Sequence, residues 1–301
     1  MSALIGIDLG GTKTEVAVLA GDGAVLFRQR QATPRDNYTA ILNTIQALVD
    51  EAIAHTGIAR PQAIGCGIPG CLDPDTHTVR GASTLVLNGQ PFQADLEQRL
   101  QCHVPIQNDA NCLAVSEAVD GAGQGSGVVF AAILGTGCGG GIAFQGKAWT
   151  GRHAIAGEWG HNPLPWPTLD ELQVPACWCG QVGCLETWIS GTGFASDHAR
   201  QFGGAQTAVQ LIQAMRKGDA QALLSFDRFV TRLARGLAQV VNLLDPDCIV
   251  LGGGMSNVDE IYTGIQSEIL RYTFSKTVRT PVRKALHGDS SGVRGAAWLA
   301  R

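Results

Sequence analysis

Charge is in short supply and neither sign dominates: 22 lysines and arginines stand against 26 aspartates and glutamates, a net charge of -4 over 301 residues. Without a basic excess, the electrostatic footprint of a general nucleic-acid binder is missing. Long apolar runs are missing too. The longest, Val128 to Phe144, is interrupted by five glycines and falls short of the ~20 residues a spanning helix needs. No membrane segment is expected. No charged n-region or small-residue cleavage site accompanies the first apolar run, Met1 to Gly10, which already carries Asp8, so no secretory signal is expected either. The nine cysteines are odd in number and mostly stand singly, as Cys66, Cys112 and Cys248 do in apolar surroundings. They read as buried thiols of a reducing compartment, and a cytoplasmic location is expected.

Glycine, by contrast, is abundant. The 39 glycines are spread among apolar runs and mark turns and close backbone approaches. Leu4 to Asp8 and Glu15 to Leu19 are β-rich runs joined by Gly10-Gly11-Thr12-Lys13, a hairpin signature. Ile41, Leu42, Ile45, Leu48, Val49, Ala52 and Ile53 repeat at helical spacing, and Gly57 closes that helix. A strand over Ala63 to Ile68, a helix over Phe92 to Leu100, a strand near Val104 to Gln107 and a helix over Ala110 to Val119 follow. Val128 to Leu134, the turn Gly135-Thr136-Gly137 and the return over Gly141 to Phe144 then echo the opening hairpin. Two related halves are expected, each opening on a glycine-turn hairpin. Phe229 to Leu244 is the clearest amphipathic helix; Cys248 to Leu251 is a strand, and Gly252-Gly253-Gly254 leads to a helix from about Asn257. The chain reads as an α/β protein of two halves.

Three glycine turns therefore follow apolar strands, at Gly10, Gly135 and Gly252. Amides without side chains in the way can surround phosphate oxygens, and a helix start after Gly254 would add a favourable dipole. The first turn is not a P-loop: Gly6 to Lys13 has Thr12 where that pattern requires lysine. Two G-x-G-x-x-G matches, at Gly135/Gly137/Gly140 and Gly65/Gly67/Gly70, run into apolar or proline-bearing segments and not into helices, which argues against a dinucleotide oxidoreductase. Asp8, two residues before the first turn, either caps it or holds Mg²⁺ while the turn contacts phosphate.

Asp109 sits where a strand hands over to a helix. It is there as an N-cap, as the base that takes a proton from an attacking hydroxyl, or as both, and Asn108 beside it can donate to the same substrate. Glu158 and Glu186 lie on either side of the cysteines in an irregular segment, about 154 to 193, rich in Gly, Pro, Trp and Cys. They read as surface glutamates or as acceptors of sugar hydroxyls. Within that segment Cys177, Cys179 and Cys184 are spaced C-x-C-x4-C, with Gly180 and Gly183 allowing a tight fold. With His161 as fourth ligand, chosen ahead of the less well placed His153 and His198, they would make a closed tetrahedral zinc site, structural because no position is left for a reacting water. A disulfide or unliganded thiols are the competing readings.

Taken together, Asp8-Leu9-Gly10-Gly11-Thr12-Lys13, Asn108-Asp109, Leu134-Gly135-Thr136-Gly137, Gly157-Glu158-x-Gly-His161 and Cys177-x-Cys179-Gly180-x-x-Gly183-Cys184-x-Glu186 resemble, in order, the motif set of the ROK family of repressors and sugar kinases. Within it the chain is similar to bacterial fructokinases of the mannose/fructose kinase type, through Thr33-Pro34-Arg35-Asp36, Asn88-Gly89-Gln90-Pro91-Phe92 and His287 to Trp298 among other segments. The resemblance implies an actin-like (ribonuclease H-like) ATPase fold with a cleft between two domains, residues 1–108 plus 288–301 and residues 109–287, the second carrying the zinc-binding insert. It implies ATP with Mg²⁺ as donor, a hexose as acceptor and a homodimer, with fructose first and N-acetylglucosamine, mannose and glucose as alternatives. Asp109 would be the base; Asn88, Asn108, Asp109, Glu158, His161 and Glu186 would bind sugar hydroxyls. Asp8, Gly10, Gly11, Thr12, Lys13, Thr136, Gly137, Gly252, Gly253 and Gly254 would bind the nucleotide; His161, Cys177, Cys179 and Cys184 would hold structural Zn²⁺. Repressors of the family carry a helix-turn-helix ahead of the first strand; here the first strand begins within a few residues of Met1, so a DNA-binding role is not expected.

Overall fold

The computed structural model describes every residue except Met1, Ser2 and Val174, so the first apolar run, Met1 to Gly10, lies partly outside the described residues. By its internal contacts the chain forms two units, Met1–Gly125 with Gly141–Ala156 and Leu286–Arg301, and Ser126–Gly140 with Gly157–Ala285.

In the first unit, β1 (Leu4–Leu9), β2 (Lys13–Leu19) and β3 (Val25–Ala32) form an antiparallel meander. β4 (Gly65–Ile68) pairs parallel with β1, and β7 (Ile106–Asn108) pairs parallel with β4, giving the order β3-β2-β1-β4-β7. A small ribbon of β5 (Cys71–Leu72) and β6 (Val79–Arg80) lies between them in sequence. β1 displays the two-residue period of a strand covered on both faces. Ile5, Ile7 and Leu9 join the core made with α1 (Tyr38–Thr56) and α2 (Phe92–Leu100). Leu4, Gly6 and Asp8 face the other way, onto the last helix, α9 (Ser291–Leu299).

That second layer is held by backbone-to-backbone approach. A Cβ on Gly65 would lie 1.7 Å from Ala296 O, and one on Gly295 would lie 1.7 Å from Cys112 O of α3 (Asp109–Val119). Helix α9 is thus wedged between sheet and α3 at a separation only glycine permits. Gly295→Ala should therefore cost several kcal/mol, at or beyond the usual ~1–3 kcal/mol of overpacking, and lower the melting temperature accordingly; a melt unchanged from wild type would contradict this packing. The junction is also tied by Glu117. Its fully buried carboxylate accepts from Ala122 N–H (2.8 Å), Leu286 N–H (3.0 Å) and Ser291 Oγ (2.9 Å).

The second unit repeats the plan. β8 (Val128–Leu134) is followed by β9 (Cys138–Phe144), whose last four residues belong to the first unit, where β10 (Lys147–Ala148) pairs with them. β11 (Cys248–Gly252) lies parallel to β8, and β12 (Val282–Lys284) parallel to β11. The order β9-β8-β11-β12 matches β2-β1-β4-β7, the duplication expected from the two hairpins.

Its helices are α4 (Glu186–Ile189), α5 (Gly191–Phe202), α6 (Ala208–Arg216), α7 (Ala220–Leu244) and α8 (Ile265–Tyr272). Helix α7 starts nine residues before its apolar stripe at Phe229, because Asp219 accepts from Ala222 N–H (2.8 Å) and caps it. No α-helix starts near Asn257. Gly254–Asn257 and Asp259–Tyr262 are single 3₁₀ turns, so the dipole expected behind Gly254 is replaced by four-residue turns. Among the described residues no helix is long and apolar enough to cross a membrane.

The irregular segment is anchored to α7 by buried charge. Glu171 accepts from Arg232 (2.7 Å) and from both terminal nitrogens of Arg235 (2.7 and 2.8 Å), and Arg232 also pairs with Asp197 (2.7 Å). Burial would raise the Glu171 carboxyl, but the Arg235 guanidinium, the Thr168 N–H and Arg232 outweigh it and pull its pKa down to about 2. A lowered folded-state pKa contributes stability above the unfolded pKa and loses it as pH falls, here from roughly pH 4.5 toward 2. At neutral pH this amounts to something on the order of 3 kcal/mol. Thermal melts should accordingly fall steeply below pH 5 in the wild type. Glu171→Gln should melt lower at pH 7 and follow a flatter acid limb; parallel limbs would contradict the assignment.

Candidate active site

In the first unit, strand pairing places Asp8 opposite Glu15 and beside Gly67 at the carboxyl end of β1. Gly292, at the start of α9, abuts it closely enough that a Cβ would lie 2.6 Å from Asp8 Oδ2. Burial first, then the negative charges of Asp109 and Glu15, push the Asp8 carboxyl up to about 7 against the pull of Arg30. Glu15 is itself paired with Arg28 and Arg30; a divalent cation seated on Asp8 would offset the negative charge that remains there.

The adjoining turn, Gly10 to Lys13, is closed by Gly10 N–H donating to Lys13 O (2.9 Å). Thr33 straps it from behind, its N–H donating to Thr12 O (3.0 Å) and its hydroxyl to Gly10 O (2.8 Å). The turn and residues 33–37 line a hollow of about 530 Å³. One neighbour escapes the sequence reading. Thr84 is buried, its hydroxyl has no hydrogen-bond partner, and it stands 3.7 Å from where a Gly11 Cβ would be. A buried hydroxyl in that state is available to a ligand at the turn. It precedes a short 3₁₀ turn without capping it, a difference that no pattern in the sequence displays.

Asp109 is the first residue of α3, and the cap is Asn108, whose Oδ1 accepts from Ala110 N–H (2.9 Å). Asp109 Oδ1 accepts from the same N–H (2.8 Å), which orients the carboxylate at the end of β7. The Asn108 amide donates to Gly70 O (3.3 Å). Asn88 is further engaged than its sequence position suggests. Its Oδ1 accepts from Ala82 N–H (2.9 Å) and its Nδ2 donates to Ala82 O (3.0 Å), leaving one lone pair and one hydrogen for a ligand.

In the second unit, Gly135, Thr136 and Gly254 line a single cavity of about 810 Å³ together with Thr192, Ala208 and Met255. Two of the three glycine turns thus meet at one mainly apolar pocket. Gly137 is placed differently: a Cβ there would lie 2.5 Å from Glu186 Oε2, so this glycine makes room for a carboxylate. Gly253, with φ +80°, passes against the backbone of Leu134.

Glu158 and His161 sit on one 3₁₀ turn, Trp159–His161 and its preceding residue. The turn docks on β9 because Trp159 is buried and donates to Gly139 O (2.9 Å), while Gly160 lies against Cys138 O, 2.0 Å from where its Cβ would be. Loss of hydration raises the Glu158 carboxyl, the His161 ring lowers it and the Glu186 charge raises it, with a net upward shift. Glu186 heads α4 with both oxygens engaged: Cys138 N–H donates to Oε2 (2.8 Å) and Trp178 Nε1–H to Oε1 (2.6 Å).

The ligand atoms of His161, Cys177, Cys179 and Cys184 all lie within 4.8 Å of one another. Cys179 and Cys184 sulfurs are 3.7 Å apart, and Cys177 Sγ is 3.6 Å from His161 Nδ1. Zn–S bonds of ~2.3 Å in a tetrahedron give sulfur–sulfur edges of roughly 3.8 Å. Donor set and spacing therefore fit zinc.

A family model described as "ROK family" matches residues 4–301. An N-acetyl-D-glucosamine kinase of Pectobacterium carotovorum is 41% identical over 298 residues, covering 98% of this chain and 97% of that protein. Among solved structures, a ROK hexokinase from Thermus thermophilus is 29% identical with a TM-score of 0.88, covering 99% of this chain and 97% of that one. A ROK family glucokinase from Streptomyces griseus, solved with glucose and AMPPNP, is 32% identical with a TM-score of 0.78, covering 100% and 99%. The fold is the actin-like, ribonuclease H-like ATPase fold, here as two α/β units with the same strand order. Matched along nearly its whole length, the chain belongs to the ROK family and is one of its ATP-dependent sugar kinases.

Proposed function

We propose that the chain phosphorylates N-acetyl-D-glucosamine on its 6-hydroxyl at the expense of ATP. The observation that carries the choice of sugar is the 41% identity, end to end, with a relative of that name. Fructose, placed first by the sequence resemblance, becomes the second reading. The fructokinase-like segment Thr33-Pro34-Arg35-Asp36 lines the hollow at the β1–β2 turn, next to Gly11 and Thr12, where phosphate and not sugar identity would be read.

In the proposed reaction Asp109 accepts the proton of the 6-hydroxyl as its oxygen bonds to the γ-phosphorus. The bond from that phosphorus to the β-bridging oxygen breaks, leaving ADP. Asn108 and the remaining donor of Asn88 orient the sugar near Asp109, and Glu158, His161 and Glu186 accept from or donate to its hydroxyls. Amides of Gly11 and Thr12 in the first turn, and of Thr136 and Gly254, would face the nucleotide phosphates, and Asp8 would hold Mg²⁺, whose charge offsets that developing on the phosphates. Zinc on the three thiolates and His161 Nδ1 would fix the irregular segment and leave His161 Nε2 for the sugar. Two-dimensional ³¹P–¹H NMR of the product tests this reading: coupling of a phosphomonoester to the C6 protons of N-acetylglucosamine is expected. Phosphate on the anomeric carbon, or no sugar product from zinc-loaded protein, would contradict it.

A further inference from the structure

Between two zinc-type ligands, Cys177 and Cys179, the chain carries a tryptophan that does not belong to any core: Trp178 is 78% exposed. Singly exposed apolar side chains are common on this chain, Phe274 and Leu169 among them; what marks Trp178 is its contacts. Two contacts are specific. Its ring meets His161 edge-to-face, with centroids 5.1 Å apart at 84°. Its Nε1–H donates to Glu186 Oε1 at 2.6 Å. Both partners are side chains proposed to bind sugar, and neither anchors the tryptophan in the interior.

We infer that Trp178 is a positioning residue for Glu186, an inference that rests on the sugar-kinase reading above. A carboxylate offers about four acceptor sites. Cys138 N–H takes one on Oε2 and the indole N–H takes one on Oε1, so the carboxylate is held at both ends and cannot rotate about its terminal bond. One lone pair on each oxygen then points away from these donors, and a pair of sugar hydroxyls can meet them without reorienting the group. The Cys177 thiol, 3.9 Å from Oε1, is no substitute: a zinc-bound thiolate has no proton to donate. With the indole N–H removed, the carboxylate pivots on the single bond from Cys138, and sugar binding bears the ordering cost.

The test compares wild type, Trp178→Phe, Glu186→Gln and the double variant, all zinc-loaded. Trp178→Phe keeps an aromatic ring to lie against His161 and removes the N–H together with the pyrrole half of the indole. Its KM for N-acetylglucosamine should rise about tenfold, the effect of one hydrogen bond to a charged group, with kcat, KM for ATP, zinc content and melting temperature near wild type. On the Glu186→Gln background the same change should add little, because the indole acts through that carboxylate. A sugar KM within about twofold of wild type, additive effects in the double variant, or a loss of zinc in parallel with KM would each overturn the assignment. Wild-type protein that phosphorylates no hexose would overturn the kinase reading first and this one with it; an active wild type with an unaffected Trp178→Phe overturns this one alone.

Discussion

Asp109→Asn should lower kcat by about a thousandfold, within the ~10²–10⁴ usually lost with a general base, while the dissociation constant for the sugar stays within a few-fold. Asparagine keeps the shape of the side chain and an oxygen that can still accept from Ala110 N–H, the bond that orients the carboxylate now. It removes the ability to take a proton. Helix α3 should be undisturbed because its cap is Asn108. Steady-state kinetics with calorimetric titration of the sugar separates the two quantities. Retained turnover would remove Asp109 from the chemistry, and lost sugar binding with lost turnover would make it a binding residue only.

Removal of zinc should also be damaging, for a different reason. The segment from 154 to 193 has few regular elements of its own; the Glu171 ion pairs tie it to α7, and the four-ligand cluster would tie it a second time with zinc bound. Structural zinc contributes roughly 10 kcal/mol or more of apparent binding free energy to small folded motifs. Cys184→Ser should abolish zinc retention, lower the melting temperature by ten degrees or so, and reduce kcat/KM for sugar about ten- to a hundredfold, since His161 and Glu186 lose their support. Metal content by atomic emission, a thermal melt and the sugar kinetics check this on one preparation. Full activity in zinc-free Cys184→Ser would mean that the cluster holds nothing the reaction needs.

What could be read in the sequence follows how local each signal is. The opening hairpin, the stripe from Ile41 to Ile53 and the closing Gly57 became β1, β2 and α1 because period and turn residue agree within a few positions. The duplication was legible because the same hairpin occurs twice, whereas the order of the parallel strands, set by long-range pairing, was not. β3 went unread because Phe27, Arg28, Gln29 and Arg30 have no apolar alternation; its backbone pairs with β2 while its side chains remain largely in water. The cysteine cluster was legible as three cysteines and a histidine at metal-ligand spacing. Thr84 and Trp178 were not, since an orphaned hydroxyl and an exposed indole are defined by what surrounds them. Gly137 illustrates the same limit. Its motif is that of a phosphate turn, and in the fold it accommodates Glu186.

The central claim is most directly tested by hexose-dependent release of ADP from Mg²⁺-ATP, with kcat/KM compared across N-acetylglucosamine, fructose, mannose and glucose. ADP release should require a sugar, with a kcat/KM for N-acetylglucosamine at least about tenfold above the others, the scale of discrimination that one or two polar contacts supply. A preference for fructose would return the acceptor to the one that the sequence resemblance placed first. Release of ADP that no hexose stimulates would contradict the assignment of Asp109 and the glycine turns altogether.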